Sequence, residues 1–255
     1  MTKPSCIRQN VEKNICVITL NRPKKCNAFN EVVITELKRV FKKIDTDENI
    51  QVVIINAKGK NFSAGADLNW MKRMVKFSRE ENEADALTLG NLLRQIDQLS
   101  KPTIALLHGC VMGGGIGLMA CCDITIATTE TQFCFSEVKL GLIPAIIAPY
   151  IIRSIGCGLA RRYFLTAELF AATEAKKIGL LHQVVNANEL QSTGYTIAES
   201  IKKNGPQALL ATKQLLNNLC PINENIISKT ATLLASIRNS KEARERIDNF
   251  FKGKR

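Results

Sequence analysis

The residues best suited to chemistry lie in three short stretches, Ser63-Ala-Gly-Ala-Asp67, Gly113-Gly-Gly115 and Ser136-Glu137. The glycines follow a β-branched apolar run and lead into an apolar segment with no turn residue before Asp123, a pattern that predicts a buried strand, a tight turn and a buried helix. Glycine lets a backbone come close to a ligand, and the first amides of a helix have no partner inside it. Such a turn can hold an anion or a developing oxyanion, or it can serve only to pack helix against strand. The small residues Ser63 to Ala66 offer backbone amides in the same way. Asp67, at a loop-to-helix junction, reads as a cap rather than a catalytic acid. Trp70 and Met71 read as packing. Glu137 sits at an element boundary with largely apolar sequence after it, and a lone glutamate is usually solvated or capping. Apolar surroundings would nevertheless raise its pKa and suit it to proton transfer near neutral pH. His108 and His182 have no neighbouring nucleophile or metal-ligand partner in sequence and read as structural.

These stretches hang on a readable frame. Residues 15–20 predict a short strand that Asn21-Arg-Pro-Lys24 stops, since proline cannot continue a ladder. Asn30 predicts the N-cap of a helix carrying Val33, Leu37, Val40, Phe41 and Ile44 at helical spacing. Val52-Val-Ile-Ile-Asn56 is continuously apolar and β-branched, as in a strand buried on both faces. Residues 75–86 are charged and weakly periodic and predict a mobile flap over a site. Residues 87–99 restore a helical pattern. Strands are expected at 124–127 and 131–135, and helix from Ala145 to the end, jointed at Gly156, Gly179, Asn186, Gly205-Pro206 and Pro221. Two strands and a helix recur, which implies a repeated β-β-α unit rather than a doubly wound sheet.

Composition narrows the class. A chain of 255 residues with 45% hydrophobic content fits one large domain, or one domain with an appendage. No run approaches the ~20 apolar residues that span a bilayer, and the first residues lead into polar sequence, so a cytoplasmic protein is expected with no membrane partner. Nine cysteines, scattered apart from Cys121-Cys122, have no metal-ligand spacing and suggest reduced, packed thiols. The formal charge of +12 is dispersed in small groups without an aromatic-rich motif. Solvated faces and a phosphate-bearing small molecule account for it better than nucleic acid does.

In order and spacing, Asn21-Arg-Pro-Lys24 with Asn27-Ala28, Phe62-Ser-Ala-Gly-Ala-Asp-Leu68, His108-Gly109 with Gly113-Gly-Gly115, Cys122-Asp123, Phe133, Ser136-Glu137 and Leu140-Gly-Leu-Ile-Pro144 resemble the crotonase, or enoyl-CoA hydratase/isomerase, superfamily over nearly the whole length. Within it, the segments from Phe62 to Met74 and from Ser136 to Pro144 are similar to bacterial methylglutaconyl-CoA hydratases of leucine breakdown. The resemblance implies an α/β fold, a spiral of β-β-α repeats over residues 1–195 with a C-terminal helical trimerisation region over 196–255, and a homotrimer or a hexamer of two trimers. It implies that an acyl-CoA is the substrate, with no separate cofactor and no metal. The amides of Ala66 and Gly114 would receive the thioester oxygen. Ala64, Gly65, Asp67 and Leu68 would contact the CoA, and Lys24 or Lys25 and the basic C-terminus would meet its phosphates.

Two departures bear on the reaction. Glu137 matches the second glutamate of the two-glutamate hydratases, but the first falls on Gly117, which has no side chain. Three readings therefore stand: a hydratase in which Glu137 alone activates water and delivers the proton, a 3-enoyl to 2-enoyl isomerase using Glu137 alone, and a non-catalytic acyl-CoA or RNA-binding protein. The second departure is Ala145-Ile-Ile-Ala148, where many hydratases carry glycines, which should reshape the acyl end of the pocket. A branched, acidic acyl group would want a cation, with Lys72, Arg73 or Lys139 as candidates by position.

Overall fold

The computed structural model describes residues 5–253; Met1 to Pro4 and the tail residues Lys254 and Arg255, expected among the phosphate contacts, lie outside the described residues. Among the described residues nine strands follow in chain order: β1 (Ile7–Glu12), β2 (Ile15–Leu20), β3 (Val52–Ala57), β4 (Thr103–Leu107), β5 (Cys110–Met112), β6 (Ile124–Thr128), β7 (Gln132–Cys134), β8 (Phe170–Ala171) and β9 (Gln183–Val185). The larger sheet has the order β1-β2-β3-β4-β6-β9, parallel throughout except for the antiparallel β1–β2 hairpin. The smaller sheet is β5-β7-β8. Twice the chain crosses directly from the large sheet to the smaller one: β4 continues into β5 and β6 into β7. Earlier turns repeat the path with single bridges, Phe29 to Ala66 and Ser63 to Val111. The result is the expected spiral of β-β-α steps, and it stacks the three chemistry-bearing stretches on neighbouring steps.

The inner strands of the large sheet, β3, β4 and β6 above all, are buried on both faces, which is why they read as apolar runs. Ile18, Val53, Ile55, Ala105 and Leu107 belong to the main core, with the apolar stripe of α1 (Glu31–Thr46). Ile15, Val52, Ile54, Ile104, Leu106 and Ile126 form a second cluster, closed by Leu190 and Ala198 of α7 (Leu190–Lys202). The 195/196 division expected from the sequence falls within this helix. Asn30 caps α1, its side chain accepting from the Val33 amide at 3.0 Å.

Two expectations are corrected. Residues 75–86 are no flap, because Ser78 opens α3 (Arg79–Asp97) with a capping box: its hydroxyl accepts from the Glu81 amide at 3.2 Å, and Glu81 accepts from the Ser78 amide at 2.7 Å. The C-terminal part is not all helix either. After α5 (Ala148–Thr166) and around α6 (Ala172–Lys177), the short strands β8 and β9 each complete a sheet edge. Strands of two and three residues show no alternation from which to read them.

The last three helices, α8 (Pro206–Leu219), α9 (Glu224–Arg238) and α10 (Lys241–Phe251), fold back on the spiral. Lys213 of α8 donates to Asp123 at 2.5 Å and to the Lys101 carbonyl at 3.2 Å. Gly90 of α3 allows α9 to pack closely: a Cβ there would stand 2.7 Å from Ile227 Cγ2. α10 rests on the 3-10 turn Glu137–Leu140.

Candidate active site

The two small-residue loops are tied to each other through their backbones. Met112 donates to the Ser63 carbonyl at 2.9 Å, Ser63 to Cys110 at 3.2 Å, Phe29 to Gly65 at 2.7 Å and Asp67 to Phe29 at 2.8 Å. At Gly65, φ is +88° and a Cβ would lie 3.3 Å from the Met112 carbonyl oxygen, so only glycine lets the loops approach this closely. Ala66 is thus held between two fixed neighbours while its own amide donates to no protein group among the described residues. The same is true of Gly114, the first residue of α4 (Gly114–Ala120). Both residues are partly exposed and line one cavity of about 940 Å³.

Glu137 opens the 3-10 turn on the next step of the spiral, and it too lines this cavity. Its Oε1 lies 3.3 Å from where a Cβ on Gly113 would stand, so the carboxyl sits beside the glycine turn. Its Oε2 is buried and has no hydrogen-bond partner. Loss of hydration pushes the carboxyl up from the ordinary glutamate range to about 7, against a backbone hydrogen bond that acts in the other direction. A proton acceptor poised near neutrality therefore stands next to two unused amide donors.

The remaining sequence candidates separate. Ala64, Gly65 and Leu68 line the cavity with Ala66, Gly114 and Glu137. Asp67 does not: its carboxylate accepts from the Asn69 and Trp70 amides at 2.9 and 3.3 Å and from Arg22 at 3.0 Å, and its own amide is taken by Phe29. Burial would raise the Asp67 carboxyl, but Arg22 and those amides hold it below the usual range. Lys24 and Lys25 are exposed on a 3-10 turn and are not among the residues of the cavity wall. His108 meets the Gly59 carbonyl at 3.0 Å, and His182 accepts from the Thr125 amide at 3.0 Å, so both rings are engaged with backbone. Trp70 and Met71 are buried packing residues, yet they also face the cavity. Sequence reading missed Leu234, Arg238, Arg246, Asn249 and Phe250, which α9 and α10 bring to the cavity.

Gly117 is walled in. A Cβ there would stand 2.3 Å from Ile147 Cγ2 and 3.2 Å from Leu93 Cδ1, so apolar side chains fill the space that a carboxylate at this position would need. The two departures noted in the sequence are one structural fact: Ile147 replaces the volume that Gly117 vacates.

The spiral of β-β-α steps is the fold of the crotonase class. The profile of the enoyl-CoA hydratase/isomerase family matches residues 10–255. The chain belongs to that family. It is 36% identical over 208 residues to the short-chain-enoyl-CoA hydratase of Clostridium acetobutylicum, with 81% of this chain and 78% of that one covered. It is 31% identical over 222 residues to the mitochondrial Delta(3,5)-Delta(2,4)-dienoyl-CoA isomerase of Dictyostelium discoideum, covering 82% and 76%. Among solved structures, an enoyl-CoA hydratase from Shewanella pealeana is 39% identical, with a TM-score of 0.82 and coverage of 98% and 94%.

Proposed function

We propose that the protein hydrates a 2-enoyl-CoA, with 3-methylglutaconyl-CoA as substrate and Glu137 as sole acid–base group. The observation that carries this reading is the Glu137 carboxyl, its Oε2 buried and unpartnered beside the glycine turn. The carboxylate takes a proton from water as hydroxide adds to the β-carbon, and the protonated form returns that proton to the α-carbon. Water is thus added across the double bond with no group left over. Enolate charge that grows on the thioester oxygen is received by the Ala66 and Gly114 amides, each donor contributing about 3 kcal/mol. The loop from Ala64 to Leu68 takes the CoA, and the exposed Lys24 and Lys25 meet its phosphates outside the cavity.

Replacing Glu137 with Gln tests the assignment. Hydration of 3-methylglutaconyl-CoA and crotonyl-CoA falls by about 10³-fold with KM little changed. Retained turnover in the variant overturns it. The apolar wall at Gly117 favours a second reading, because moving a proton between the carbons of a 3-enoyl-CoA needs only one base. Conversion of a 3-enoyl-CoA to the 2-enoyl isomer without hydration would establish that reaction instead. For assembly, Leu215 and Leu219, one turn apart on α8, are exposed apolar side chains, as is Leu216. We propose that they belong to a trimer contact. Replacing Leu215 and Leu219 with Lys then gives a smaller species in light scattering.

A further inference from the structure

One buried cation of the cavity is left with an unused donor edge. Arg238 closes the last turn of α9, and its Nη1 donates to Asp85 of α3 at 2.7 Å. The two side chains are 10% and 13% exposed. Arg238 Nε is buried and has no hydrogen-bond partner, although the residue lines the cavity together with Trp70, Met74, Leu89 and Leu234. The Nε–Nη2 edge of a guanidinium is one of the two that take a carboxylate with parallel hydrogen bonds. The cations expected from sequence are occupied or exposed. Lys72 lies 4.3 Å from the centre of the Phe251 ring, Arg73 pairs with Glu31, and Lys139 is exposed at the cavity. Arg246 is half-exposed and donates to Glu242 at 2.8 Å.

A tie between α3 and α9 would use one guanidinium nitrogen and gain nothing from a second, buried and unsatisfied donor, which carries a desolvation cost. Burial pushes the Asp85 carboxyl up, against the pull of Arg238. A buried donor beside Trp70, Met74, Leu89 and Leu234 also discriminates strongly, since an acyl chain without an acceptor leaves Arg238 Nε unpaired.

We propose that Arg238 is the specificity-determining residue for this cavity, receiving a carboxylate at the far end of the acyl chain on its Nε–Nη2 edge while Nη1 stays on Asp85. The favoured class is then the ω-carboxyacyl-CoA thioesters. This rests on the reading of the cavity as an acyl-CoA site, but not on the reaction performed there.

Calorimetric binding of glutaryl-CoA and valeryl-CoA tests it, since neither saturated thioester can be hydrated. The wild type binds glutaryl-CoA more tightly. Arg238→Met weakens glutaryl-CoA on the order of 30-fold and valeryl-CoA by no more than about threefold. Arg238→Lys, which keeps the charge but loses the fork, recovers part of the difference, and Glu137→Gln leaves the preference intact. Equal weakening of both thioesters in Arg238→Met makes the residue a helix tie and overturns the proposal. A wild-type protein that binds both thioesters equally overturns it without reference to any variant's folding. If the wild type binds neither, the acyl-CoA reading fails as well, whereas binding with the stated preference but no hydration overturns only the reaction.

Discussion

At the scale of single residues, Glu137 sets the pH behaviour. Its carboxyl titrates near 7 in the folded protein, so kcat/KM for hydration falls as pH drops below about 7, following one proton. A pH–rate profile checks this. The same shift carries a stability consequence of opposite direction. A glutamate raised from 4.5 to about 7 on folding favours the folded state below 4.5, and that contribution disappears as pH rises through 7. Glu137→Gln therefore raises Tm more at pH 8 than at pH 5, by the equivalent of about 3 kcal/mol at most. Thermal melts at the two pH values measure the difference. The buried thiols have no such role: burial pushes Cys122 up to about 12, leaving it protonated and unreactive.

At the scale of elements, α4 and the segment entering α5 fit because one gives up a side chain where the other supplies one. Gly117→Glu alone drives a side chain into Ile147 and lowers stability by about 3 kcal/mol with no gain in hydration. Adding Ile147→Gly opens the space, restores the denaturant midpoint and raises hydration, as unfolding and rate measurements on the two variants would show. Much of this frame was legible beforehand. The unbroken run in β3 announces burial on both faces, and Asn30 with its apolar stripe announces α1, because local chemistry decides both. β1 was not legible, since its edge position leaves only Ile7 buried in a polar strand. The capping box at Ser78 lay hidden in a charged stretch whose helix is stabilised by α9, far along the chain. In the site, the glycine turns and Glu137 could be read from their neighbours. Arg238 could not, because its partner stands 153 residues away.

At the scale of the whole molecule, the C-terminal helices are docked by polar ties as well as apolar contact. Lys213 is 10% exposed and Asp123, which also receives the Thr103 amide at 2.7 Å, is 34% exposed. Lys213→Met costs about 2 kcal/mol, less than the 3–5 kcal/mol of a fully buried pair, because water reaches the aspartate left behind. Urea unfolding of the variant tests that figure. The return of α9 and α10 over the spiral also has a consequence for biosynthesis. The large sheet has all its strands once β9 is made, but the cavity wall needs Asn249 and Phe250, the last of its lining residues in the chain. At about 5–20 residues per second, the nascent protein spends roughly 3–13 s with its sheet translated and its binding chamber unroofed. During that interval Met74 and Leu89 face a chamber that still lacks Leu234, Arg238, Arg246, Asn249 and Phe250 from its wall.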